Sequence, residues 1–118
     1  MKLIGSLTSP YVRKVRIVLH EKKIDHLFVV EVPWDADNKI NQLNPLEKVP
    51  VLETDEGLVL YDSSVITDVL ESLTPNNRLL PQGNRFRAMA KCAEALAMGI
   101  NDAGAAIFVE IKMHPKEH

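Results

Sequence analysis

The chain has 118 residues, 46% apolar and 25% charged, which suits one soluble domain and leaves little room for a second. Fourteen Lys and Arg against 16 Asp and Glu give a net charge of −2, so the basic surplus of a nucleic-acid binder is missing. A single cysteine, Cys92, excludes an internal disulfide framework, a CxxC redox motif and a multi-cysteine metal site.

In chain order, "KLIGSL" (2–7) is short and mostly apolar and predicts a buried strand. Pro10 then suits the first turn of a helix, where its missing N–H costs nothing. Val12, Val15, Val18 and Leu19 recur at helical spacing, which carries that helix to about His20 or Glu21. Arg13, Lys14 and Arg16 on it read as a solvated basic face. "HLFVVEV" (26–32) is β-branched and apolar and predicts a second strand. "PWDADN" is a loop, and "KINQL" makes one or two helical turns before "NP" breaks them.

"VPVLET", "DEG" and "LVLYD" together predict a hairpin. "DSSVITDVLESL" follows, with Asp62 or Ser63 as the N-cap. Val65, Ile66, Val69, Leu70 and Leu73 are expected to form one apolar face. "TPNNRLLPQGN" reads as a linker, and 85–112 as one long helix interrupted by Gly99 and Gly104. The order β-α-β-(α)-β-β-α predicts an α/β fold: a mixed sheet with helices on its faces, followed by a long helix. No N-terminal basic-plus-apolar signal is seen and no apolar run is read as approaching membrane-spanning length, so a cytoplasmic protein without a membrane partner is expected.

Chemistry concentrates at "TSPYVRKVRIVL". A helix that starts directly after a buried strand presents unpaired backbone N–H groups and a partial positive charge. Small anions are stabilised there. Thr8 and Ser9 add hydroxyls at that point, although either residue is also an ordinary cap. Pro50 opens an apolar strand, where proline is tolerated. A cis bond before it would turn the Val49 backbone outward, ready to pair with an extended peptide. In "YDSS", Asp62 could hold an ammonium group, and Ser63 with its N–H a carboxylate; capping serves equally well there.

Together, "TSPYVRKVR", "NPLEKVPVLE" and "LYDSS" resemble the N-terminal domain of cytosolic glutathione S-transferases, in spacing as well as wording. The closest resemblance is to bacterial, serine-type members between the theta and omega types. It is dense over residues 1–80, and "EALAMGINDA" resembles the first long helix of the family's helical domain. The resemblance implies a thioredoxin-like four-stranded mixed sheet with Pro50 cis. It implies that residues 1–80 bind glutathione and that 85–118 begin an all-α domain. It implies that Val49 pairs through its backbone with the cysteinyl part of glutathione, that Asp62 and Ser63 hold the γ-glutamyl end, and that Ser9 stands at the activating position. Tyr11 and then Thr8 are the next hydroxyls in rank. The glycyl carboxylate would meet a side chain of the loop at 34–39.

The implied activity is transfer of glutathione, as co-substrate, to a small electrophilic apolar partner, in a homodimer. Serine at this position stabilises the thiolate without itself attacking, so weak or absent thiol-transferase activity is expected. Two alternatives are a non-catalytic binding or assembly module of the same fold, and a glutathione-dependent isomerase or peroxidase. Cys92 is expected as a small buried hydrophobe. The histidines (His20, His26, His114, His118) show no metal-ligand spacing, and no metal is expected. The apolar helix at 85–111 would need a partner surface, and Met98 stands where relatives often carry an acid.

Overall fold

The computed structural model describes residues 1–113 except 34, 36 and 38. The chain divides after Leu79 into two compact units. The first contains β1 (Lys2–Gly5), α1 (Pro10–Glu21), β2 (Leu27–Val30), α2 (Ile40–Leu43), β3 (Val51–Glu53), β4 (Val59–Tyr61) and α3 (Ser63–Leu73). The second contains α4 (Asn84–Met113).

The four strands form one sheet in the order β2-β1-β3-β4. β1 and β2 are parallel, as a strand–helix–strand crossover requires, whereas β3 runs antiparallel to both β1 and β4. The hairpin turn is closed by Thr54, which bonds Leu58 through both backbone and hydroxyl, and by Gly57 at a φ of 87°.

The two-residue period of the strands sorts their side chains onto two faces. Leu3, Phe28, Leu52 and Leu60 face one way, with Val12, Val15, Leu19, Ile66 and Leu70 of α1 and α3. Ile4, Val29, Val51 and Tyr61 face the other way, with Ile40 and Leu43 of α2. Paired residues across the sheet belong to the same face at each register position. At Gly5, the last residue of β1, α1 approaches so closely that a Cβ would meet Val12 Cγ2 at 2.6 Å and one of the two would have to shift.

Several expectations need correcting. On α3, Val65 and Leu73 are 47% and 52% exposed, while Ser63 and Thr67 are buried with Ile66 and Leu70. Helical spacing puts Ser63 and Thr67 on the side of α3 that carries Ile66 and Leu70, and the Thr67 hydroxyl donates to Ser64 O at 3.3 Å. The basic run on α1 is not uniformly solvated. Lys14 is half-buried and donates to Ser64 Oγ at 3.4 Å, and Arg16 lies 4.7 Å over the Phe28 ring. Cys92 is exposed.

Lys22, at the C-terminal cap of α1, is fully buried and pairs with Glu71 of α3 at 2.9 Å. Such burial is tolerated only with a partner.

Taken by itself, α4 is a 30-residue helix. By length and composition it could cross a membrane: its richest window has a mean hydropathy of 1.3 and is 0% buried. The reading that no segment approaches that measure is therefore corrected. The apolarity is spread over Ala, Leu, Met, Ile, Phe and Val on either side of Glu94 and Asp102, so no unbroken run displays it. Core helices of soluble proteins meet the same measure. His114 and His118 lie outside the described residues.

Candidate functional site

The sheet register brings the motif segments together. Ile4 pairs with Val51, and Val51 pairs with Tyr61. Because β3 runs opposite to both neighbours, the exit of β1, the entrance of β3 and the exit of β4 share one end of the sheet. Ser9 follows the first, Val49 and Pro50 precede the second, and Asp62 and Ser63 follow the third. Residues more than 50 positions apart in sequence thus serve one edge.

At the first junction Ser9 is the N-cap of α1, with an ordinary extended backbone at φ −73° and ψ 126°. Its Oγ accepts from the Val12 N–H at 3.2 Å. Its own hydroxyl proton has no acceptor among the described residues. A half-buried Ser9 can therefore cap the helix and donate outward at once. Thr8 is exposed and Tyr11 half-buried.

At the second junction the Val49–Pro50 bond is cis. Pro50 is buried, and the Val49 side chain packs against both cores. Among the described residues, neither the N–H nor the C=O of Val49 has a hydrogen-bond partner. An extended peptide could pair with them as an added strand.

The loop delivering Val49 is organised by Asn44, which the sequence alone marks only as part of a helix break. It is 2% exposed; its Nδ2 donates to Lys48 O at 3.0 Å and its Oδ1 accepts from Leu46 N–H at 2.9 Å. The signal was the "NP" pair itself, since asparagine side chains often template the turn that follows them.

The third junction differs from the first. Asp62, the N-cap of α3, adopts φ 74° and ψ 122°, a left-handed conformation that costs a non-glycine residue about 1–3 kcal/mol. Its exposed carboxylate accepts from Ser64 N–H at 2.9 Å through one oxygen. Ser63, the first residue of α3, is 5% exposed. The site thus offers a hydroxyl donor, an open strand edge, a carboxylate and the positive ends of two helices.

Of the loop at 34–39, Trp34, Ala36 and Asn38 lie outside the described residues, while Asp35, Asp37 and Lys39 are exposed. A cleft of about 330 Å³ lies between α2 and the sheet, lined by Ile4, Lys39 and Glu53 among others; Lys39 belongs to the candidate loop at 34–39, whereas Ser9, Val49, Pro50, Asp62 and Ser63 do not line it. Among the described residues, no group of three or more His, Cys, Asp or Glu could hold a metal.

Residues 3–78 match the model of the glutathione S-transferase N-terminal domain. The chain belongs to the glutathione S-transferase family. It is 47% identical over 104 residues to the GST-like protein YibF of Escherichia coli, covering 88% of this chain and 52% of that protein. A Methylobacillus flagellatus glutathione S-transferase solved with glutathione bound is similar at 43% identity and a TM-score of 0.87, over 94% of this chain and 55% of that one. A Methylobacterium radiotolerans member in complex with glutathione sulfonate is similar at 42% identity and a TM-score of 0.89, over 94% and 52%. The chain spans about half the length of the relatives it matches. The thioredoxin-like fold and the family resemblance read from the sequence are thereby borne out.

Proposed function

We propose that residues 1–80 form the glutathione-binding domain of a glutathione transferase and that α4 begins its helical domain. The observation that carries this reading is the convergence of the Ser9 hydroxyl, the open Val49 backbone and the Asp62–Ser63 cap at one end of the sheet. Val49 pairs with the cysteinyl part of glutathione as a strand would. Asp62 takes the γ-glutamyl ammonium, and Ser63 with its N–H takes the adjacent carboxylate.

Ser9 donates to the sulfur, and the N-terminal field of α1 favours the anion over the neutral thiol. The thiol proton passes to water, and the thiolate forms a C–S bond to an electrophilic carbon of a small apolar substrate while a leaving group departs with its bonding pair, or while the pair of an activated double bond shifts onto the substrate and is protonated from water. Ser9 is neither acylated nor oxidised in this scheme; its proton stays with its oxygen. The protein works in the cytoplasm, where reduced glutathione is at hand, and pairs with a second copy of itself.

The test is calorimetric titration of glutathione into wild type and Ser9→Ala, with the bound thiol titrated separately. The expected outcome is binding by both proteins and an apparent thiol pKa about one higher in the variant. A Ser9→Cys variant should gain thiol-transferase activity, since cysteine can form the mixed disulfide that serine cannot. Absence of glutathione binding in wild type would remove the transferase reading and leave an assembly module of the same fold.

A further inference from the structure

The segment after α3 reads in sequence as a polar linker, and its residues 76–79 are exposed. Its backbone is nevertheless fastened at three points. Lys22 Nζ, which also pairs with Glu71, donates to Asn76 O at 3.0 Å. Asn77 Nδ2 donates to Glu21 O, at the end of α1, at 2.7 Å. The Leu79 N–H donates to the Glu71 carboxylate, 3.1 Å from one oxygen and 3.0 Å from the other.

Asn77 sits at a φ of 46°, which asparagine tolerates better than most residues. Thr74 adds a turn bond, accepting from the Asn76 N–H at 3.2 Å. None of these bonds comes from regular secondary structure, and two of them involve a charged partner, the stronger kind.

We infer that residues 76–79 are a strap, locked across the C-terminal ends of α1 and α3 by the buried Lys22–Glu71 pair. Glu71 has a double duty: it neutralises the buried ammonium and it holds the Leu79 amide. Lys22 likewise neutralises Glu71 and holds the Asn76 carbonyl. The two ends of the strap therefore share one ion pair, and release of one end weakens the other. The strap opens as a unit and not residue by residue. This does not depend on what the site at the opposite junctions binds.

Arg78 lies inside the strap, so trypsin reports its opening. Cleavage after Arg78 requires the local backbone to leave its bonds, and its rate follows the population of the open form. Glu71→Gln keeps the size of the side chain and removes the charge that holds the Leu79 amide and pairs with Lys22. Asn77→Ala removes one fastening and leaves the ion pair intact.

The expected result is slow cleavage after Arg78 in wild type, faster by about tenfold or more in Glu71→Gln and by a few-fold in Asn77→Ala. Hydrogen exchange at the Leu79 amide should accelerate in the same order. Cleavage after Lys14 in α1 is the control for general loosening. The proposal is overturned if Arg78 is cut as fast in wild type as in both variants. It is equally overturned if cutting after Lys14 rises in parallel with cutting after Arg78, because the variants then loosen the whole unit.

Discussion

In residues 1–79, Leu3, Leu52, Ile66 and Leu70 are fully buried, whereas Leu96, Ile100 and Ile107 of α4 are between 63% and 70% exposed. Both regions are rich in aliphatic side chains, so composition does not separate them. The first region has layers: a sheet gives two faces, and helices close each of them. A helix by itself has no second layer to bury its apolar stripe. Burial is thus a property of pairing between distant segments, and the same leucine has a different energetic meaning in each region.

Four substitutions break or sharpen that contrast, each read as unfolding free energy by denaturant titration. The largest effect is expected from Lys22→Met, which leaves Glu71 without its buried partner. Loss of about 3–5 kcal/mol is expected, and joint replacement of Lys22 and Glu71 by apolar residues should recover much of it. Leu52→Ala empties a fully buried position shared by sheet and helices and should cost about 2–5 kcal/mol. Gly5→Ala forces a methyl group against Val12 and should cost about 1–3 kcal/mol. Leu96→Ala, chemically the same change as Leu52→Ala, should stay within about 0.5 kcal/mol in this chain. Equal costs for the two leucine variants would erase the distinction between the regions.

Much of this was legible in the sequence because it is local. The α1 boundaries, the hairpin and the Asp62 cap follow from proline, glycine and short polar residues at fixed offsets. The candidate site was legible through three short motifs, and the sheet register shows why they belong together.

What escaped is long-range. Nothing near Lys22 announces that its partner is Glu71, 49 positions away, or that Lys14 reaches Ser64 from 50 positions away. Hydrophobicity alone does not locate the buried face of α3, since Val65 and Leu73 are exposed. Ser63 and Thr67 share the buried side of α3 with Ile66 and Leu70 through helical spacing, although neither is apolar. Cys92 was expected inside on residue type, yet α4 provides no interior of its own.

The Ile4–Val51–Tyr61 register has a consequence for how such a chain can change over generations. Each residue added to a strand advances the backbone by about 3.3 Å and turns the following side chains to the other face. One residue inserted between Pro50 and Val51 would withdraw the open edge from the two helix starts while leaving every motif readable. Lengthening the turn at Gly57, where no atom lies within 4 Å of an added Cβ, would leave the junctions aligned. The geometry therefore accommodates a change of length at the hairpin tip but constrains the counts from Ile4 to Ser9, from Val49 to Val51 and from Tyr61 to Ser63 almost like a reading frame.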